Sequence, residues 1–481
     1  MGPRKGSSSP GQRRSIGIDL HSLGWFVVST FIALGLGVSI AKDPTLPATA
    51  IPAILMLMIL ALLVHLLYRH RDATTRLRIM KWVMGAFFFH FFIGEIIWQS
   101  STLTSYFGGD AITYNDGGIA LAHHWAGLGP MPALPPGKDG FFYLLGILYT
   151  VFGEHAGAGI AFDAGFAAAF MPLLHDATER QFGESAARYV LPICMFMPGF
   201  MIWSSQMLRE SGVYFGIALS LNAAVRISKN ISFGAICGMI SGVLLVFVWR
   251  ASIGVLMGGG FLIAFILQRK VKNTFATVII AGIAAVLVMG LGIGHSGLTF
   301  IANTNLQQIN NVRMGSSTSA ASGFLPNSDI STGSHAIGYL PIGTTFFMFG
   351  PAPWQIQGVR QLLAAPDALV WWALLPSLWR GIKAARRRVG RAINLYLLPA
   401  FANAIGLSLI IANFGTAVRE RMQVIVFLVP LIALGLSLRK HPEETGSDAD
   451  NPIIEADLNK PTATGRSRDK PKLGGAGFVN S

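Results

Sequence analysis

Charge is scarce in this sequence. Of its 481 residues only 12% are Asp, Glu, Lys or Arg while 52% are hydrophobic, and the mean hydropathy is +0.53, which excludes an ordinary water-soluble domain. Alternation with period two, the mark of a membrane β-barrel, is missing too, so apolar segments here read as helices. The two cysteines, Cys194 and Cys237, lie in apolar runs without a partner spacing for metal; they read as small core residues and leave the redox compartment open. No internal repeat stands out. No cleavable leader is visible either: the first apolar run follows about twenty polar and basic residues and is expected to remain as an anchor.

What is present is a series of apolar runs from Trp25 to Leu438, each long enough to cross about 30 Å of hydrocarbon at 1.5 Å per residue. About twelve can be counted, which predicts an all-α polytopic integral membrane protein. The net charge of +14 sits in short Lys and Arg clusters between the runs, a pattern that sets topology and does not point to nucleic acid. Arg4, Lys5, Arg13 and Arg14, then Arg69 to Lys81, assign those segments to the cytoplasm. The run Met80 to Trp98 then delivers residues 99 to 139, with Lys138 as their one base, to the other face.

The clusters Arg269 to Lys272 and Lys383 to Arg391 fall on the cytoplasmic side only if one run between them and the first loop does not cross. "FFYLLGILYTVFG", Phe141 to Gly153, is the shortest and reads as an interfacial helix. Residues 294 to 340 form a second polar outer loop. Tyr339 to Gln355, interrupted by Pro341, Gly343, Gly350, Pro351 and Pro353, reads as a re-entrant or surface-lying segment. The predicted organisation is a basic cytoplasmic N-terminus (1–23), a multi-span membrane domain (24–438) with outer loops at about 99–156 and 294–360, and a disordered cytoplasmic tail (439–481). Both termini are expected in the cytoplasm and the whole chain in the cell membrane.

Chemistry-bearing residues collect in the outer segments. "YFGGDAITYNDGG" carries Asp110, Tyr114 and Asp116; a helix starting at Asp110 would put Asp110 and Tyr114 on one face and Asp116 on another. Asp110 suits an N-cap or, partly buried, a catalytic base. The adjacent His123 and His124 do not converge on one metal ion. Glu210 stands beside Arg209 between apolar runs, and Arg250 interrupts a long uncharged stretch, so an acid or a phosphate should accompany it. In "NFGTAVRERMQ", Arg419 and Arg421 run against the positive-inside tendency; on an irregular or helix-starting segment they would jointly bind lipid phosphate or pyrophosphate, or be satisfied by Glu420 and headgroups. Glu95 and Asp163 are acids within the membrane runs, and Asp163 is expected to pair inside the bundle.

Taken in order, "GGDAITY", the helix around "GFFYLLGILYTVFG", "SQMLRESGVYF" and "VFVWRAS" resemble a GT-C-fold membrane glycosyltransferase, the class that uses polyprenyl-phosphate-linked sugars. "LPIGTTFFMFGPAPW" and the ending "LIIANFGTAVRERMQVIVFLVPLIALGL" are similar to membrane proteins of bacterial exopolysaccharide and O-antigen assembly. The resemblance implies a GT-C-like fold with interfacial helices, and Asp110 as the base that deprotonates an acceptor hydroxyl. It also implies Glu210 as a second acid and Arg250 near the lipid phosphate; beside it, the residues themselves let Asp116 share the role of Glu210 and have Tyr114, Arg419 and Arg421 contact the substrate and its lipid phosphate. The partners implied are a polyprenyl-phosphate-linked sugar, a glycan, lipid or protein acceptor, and membrane lipids. Asp110 is followed by Ala111 where many members carry a second acid, which leaves a divalent cation open as a cofactor. A polysaccharide polymerase is the near alternative, and a transporter or flippase of lipid-linked sugars the rival from another class.

Overall fold

The structure, a computed structural model, describes residues 46–135, 138–268, 299, 303–356 and 358–440. The chain divides into a unit of residues 1–437 and a C-terminal piece, 438–481. The expected first span, the Arg269 to Lys272 cluster, the run after it, and the two termini lie outside the described residues.

The protein is helical, and among the described residues the only β pairing is an isolated bridge between Gly323 and Asn413. We label α1 (Leu46–Tyr68), α2 (Ala73–Gln99), α3 (Ser101–Phe107), α4 (Gly109–Trp125), α5 (Asp139–Phe152) and α6 (Ala156–Phe182). Short helical turns between 184 and 203 lead to α7 (Glu210–Lys229), α8 (Phe233–Trp249) and α9 (Ala251–Leu267). Then come α10 (Leu306–Ser319), α11 (Gly333–Phe349), α12 (Val359–Val389), α13 (Asn394–Ile410) and α14 (Phe414–Lys440).

Five helical stretches among the described residues are long and apolar enough to cross a bilayer: Thr49–Tyr68, Ala73–Gln99, Ala156–Phe182, Gln361–Ile410 and Phe414–Arg439. By length and composition they are candidate membrane spans and point to a membrane protein. The apolar helices α5, α8 and α9 are shorter. At 14 residues α5 extends about 21 Å, less than the hydrocarbon thickness.

Contacts along the helices fix their relative directions. On α6, Asp163 meets Ser211 and Asp176 meets Asn222 and Arg226, so α6 and α7 run parallel. On α2, His90 meets Ser205 while Arg71 and Arg78 meet Glu179 and Glu184, so α2 runs the opposite way. Helices α12 and α14 cross antiparallel where Gly381 faces the Leu431 carbonyl and Gly435 faces the Ser377 carbonyl; a Cβ on either glycine would collide with backbone. Only the absence of a side chain permits that approach.

One end of the bundle therefore gathers the start of α4, α6, α7 and α14 with the α8–α9 corner. The basic cluster Arg69 to Lys81 sits at the other end, and so does Lys383 to Arg391, whose neighbour Tyr396 packs on Phe182 with ring centroids 5.6 Å apart.

Two expectations change. Tyr339 to Gln355 is not broken at Pro341: α11 runs through that proline to Phe349, and the chain turns only at Gly350 and Pro351. One missing N–H does not end an apolar helix whose other bonds remain. Nor is Asp110 an N-cap. Helix α4 begins at Gly109 with Gly108 as its cap, which places Asp110 in the first turn with its carboxylate free to bond elsewhere.

Candidate functional site

The last helix carries the centre of the site. Asn413 starts α14 by accepting from the Thr416 N–H at 2.8 Å, and its own amide donates to Ser316 at 2.7 Å, tying this start to α10. Arg419, Glu420 and Arg421 follow within two turns. Successive helical residues are rotated by about 100°, so Arg419 and Arg421 point about 200° apart around the axis. The expectation that they act jointly on one phosphate is therefore corrected. Arg421 turns into the bundle, fully buried, where Nε donates to Asp367 at 3.1 Å and Nη1 to the Gly350 carbonyl at 2.6 Å. It is a strut between α12, α14 and the turn after α11.

Arg419 faces the other way. Its Nη1 donates to Asp110 Oδ2 at 2.5 Å, its Nε lies 3.3 Å from Glu210 Oε1, and its guanidinium stands over the Trp203 ring at 5.8 Å. Glu210 is the first residue of α7 and is 1% exposed. Glu420, also buried, lies between Arg419, 3.7 Å away, and Arg250, with which it forms a close ion pair; Gln423 donates to it at 2.8 Å. Arg250 reaches Glu210 as well, at 3.9 Å. The charges thus alternate from Asp110 through Arg419 to Glu210 and Glu420, and on to Arg250. The acids expected to accompany Arg250 are Glu420 and Glu210.

Buried acids and bases at this density are held by one another, because each would be costly alone. Asp110 is the exception: its side chain remains 57% exposed. Partial burial works to raise its pKa, but the Arg419 guanidinium, through charge and hydrogen bond, outweighs this and holds the carboxyl below its ordinary range. Asp110 is ionised at neutral pH.

Asp110 and Arg419 line a cleft of about 300 Å³ together with Tyr106, Trp203, Asp367 and Asn413. Its lining mixes aromatic rings with amide, hydroxyl and carboxylate groups, which suits a polar ligand with flat apolar faces.

The remaining predicted site residues, Tyr114 and Asp116, make no ion pair or hydrogen bond with this network, although Tyr114 lies close enough to feel the charges of Arg209, Glu210 and Arg419. Tyr114 shares the Asp110 face of α4 but its ring is buried between Phe141 and Phe142, with centroids 5.0 and 4.8 Å away, and serves to dock α5. Asp116 points to solvent, 3.2 Å from the Asn115 amide, and does not join the cluster. His123 bonds Glu154 at 2.6 Å, away from the site, and His124 faces the Gly129 carbonyl. Asp163 accepts from the Ser211 hydroxyl inside the bundle, and Glu95 is buried. Among the described residues no group of three or more His, Cys, Asp or Glu side chains is placed to hold a metal ion.

Glu420, Trp203, Asp367 and Arg209 belong to the site region and were missed as functional candidates. For Glu420 the signal was present: an acid between two outward arginines can only be spared solvent by a base on another helix.

No family model, no curated protein and no solved structure matches the chain.

Proposed function

We propose that this is a GT-C-type membrane glycosyltransferase, with about twelve spans in the cell membrane and both termini cytoplasmic. It moves a sugar from a polyprenyl-phosphate donor to an envelope glycan, lipid or protein acceptor on the extracytoplasmic face. The observation that carries the reading is the ionised Asp110 carboxylate, open to a cleft and held by Arg419.

In the reaction, the acceptor hydroxyl oxygen bonds to the anomeric carbon while the bond from that carbon to the phosphate oxygen breaks, its electron pair leaving on phosphate. The hydroxyl proton passes to Asp110. Arg419 meets the charge that develops on the leaving phosphate. As the phosphate takes over Arg419, Asp110 loses the partner that depresses its pKa and becomes a better base. Glu210 and Glu420 keep Arg419 from swinging out of reach. Trp203 and Tyr106 offer faces for a sugar ring. A polysaccharide polymerase would use the same step. A transporter would place its charged groups near the bilayer midplane, whereas this cluster sits at one end of the bundle.

The test compares envelope glycans and lipid-linked sugars in cells lacking the protein, complemented with wild type or Asp110→Asn at equal membrane levels. Loss of one glycan with accumulation of its lipid-linked donor is the expected result. A wild-type glycan profile from the Asn variant would remove Asp110 as the base.

A further inference from the structure

Helix starts favour negative charge, because free N–H groups and the helix dipole make them electropositive. Three helices of this protein nevertheless place a cation at the N-cap at one corner, although α5 and α7 follow it with Asp139 and Glu210 in the first turn. The N-cap residue of α5 is Lys138, that of α7 is Arg209 and that of α9 is Arg250, and none makes a side-chain capping bond.

The three starts meet. Gly140, in the first turn of α5, is packed so closely on Val248 and Trp249 that a Cβ would collide with both. Phe141 stacks edge-on against Trp249 at 5.4 Å. Arg209 Nη1 points at the Trp249 carbonyl at 3.5 Å, a long contact, and Arg250 is the next residue.

Acids only partly answer these cations. Glu210 and Glu420 are shared between Arg250 and Arg419. Among the described residues no carboxylate comes within ion-pair distance of Lys138 or Arg209, and Asp139 follows Lys138 on α5. Arg209 is 4% exposed and its Nε has no partner. A buried guanidinium with one long carbonyl contact, beside a second guanidinium and an ammonium, is an arrangement that an anion would complete. Burial, then the Arg250 charge, destabilises the charged form of Arg209 more than Tyr114, Glu210 and Glu420 restore it; Lys138, whose side chain reaches solvent, is pushed down by desolvation and then by Arg209 and Arg250, against the pull of Glu420 and Asp110. Both would be relieved by a negative group at this corner.

We propose that the corner formed by Lys138, Arg209 and Arg250 at the starts of α5, α7 and α9 binds a phosphoryl group, the second phosphate of a lipid diphosphate whose first phosphate lies at Arg419. This rests on the transferase reading for the identity of the ligand, and it selects a diphosphate-linked donor over a monophosphate-linked one. Arg250 and Arg419 flank the same two carboxylates, so the two phosphate positions are neighbours. Lys138, exposed where Arg209 and Arg250 are not, is the member of the three that solvent reaches. A phospholipid headgroup offers the same phosphoryl chemistry.

The experiment measures binding of farnesyl diphosphate, farnesyl monophosphate and a short-chain phosphatidic acid to the purified full-length protein in zwitterionic nanodiscs. The expected result is about tenfold tighter binding of the diphosphate than of the monophosphate, from the added charge-assisted hydrogen bonds. Lys138→Met, a change at an exposed residue, should abolish most of that preference while leaving the monophosphate affinity unchanged. Arg209→Gln should do the same. Equal affinity of wild type for the two prenyl phosphates, or a preference untouched by Lys138→Met, overturns the site. Phosphatidic acid binding as tightly as the diphosphate, with the same Lys138 dependence, overturns its assignment to the donor. Asp110→Asn should retain the preference. If that variant also makes wild-type glycans, the transferase reading has failed while the phosphoryl site stands. If the preference is absent but Asp110→Asn blocks transfer, the reverse holds.

Discussion

Arg419 donates to the Asp110 carboxylate at 2.5 Å across 309 residues of sequence. The bond joins the first turn of α4 to the second turn of α14, and it is the only point where the buried charge cluster touches an exposed acid among the described residues.

The two partners of this bond should behave differently when removed. Asp110 is exposed, so Asp110→Asn should change stability by less than about 1 kcal/mol. Arg419→Gln leaves Arg250 as the one ion-pair partner of the buried Glu210 and Glu420 among the described residues and should cost about 3 kcal/mol. Thermal unfolding of the two purified variants should show a much larger fall in Tm for the arginine change. Equal falls would mean that Asp110 is part of the structural network.

The acid sensitivity of the pair follows from its pKa. The folded-state value of Asp110 is depressed, so its contribution is complete above the ordinary carboxyl pKa of about 3.9 and is lost as pH falls through the lower folded value. The Tm gap between wild type and Asp110→Asn should stay constant from pH 7 to about pH 4 and close only below that. A gap already closing between pH 6 and 5 would contradict a carboxylate held by Arg419.

Arg421 and Asp367 should act as one unit. Replacing Arg421 by Met strands a buried carboxylate and should cost about 3–5 kcal/mol, whereas the double change Arg421→Met with Asp367→Leu should recover most of the loss. Unfolding midpoints of the single and double variants test this. A double variant no better than the singles would show that the guanidinium's bonds to the Gly350 and Met348 carbonyls matter more than the ion pair.

At the α12–α14 crossing, Gly381→Val should force the helices apart and cost at least the 1–3 kcal/mol typical of overpacking. Because α14 carries both arginines, the same variant should disturb the Asp110 cleft, visible as weaker transfer or ligand binding. Gly259, which has open space around it, serves as the control: Gly259→Ala should leave both unchanged.

Composition and apolar run length determined that this chain is helical, with runs long enough to cross a membrane, where helices satisfy their own backbone groups. The sequence also marked the sparse charges worth following: Asp110, Glu210, Arg250 and Arg419 stood out because a charge beside hydrocarbon requires a partner. What local pattern could not decide was which partner. Arg419 and Arg421 look equivalent in "VRERM", and only the continuous helix from Phe414 turns one to Asp110 and the other to Asp367. Helical spacing already separated Asp110 from Asp116 in "GGDAITYNDGG", but did not show that Arg419 would be the partner of the first. Lys138, Arg209 and Arg250 stand about 40 to 70 residues apart, each an ordinary turn residue by local reading. Their meeting at one corner depends on long-range packing of Gly140 against Trp249, and such packing is a property of the assembled helices, because it is set by shapes that lie far apart along the chain.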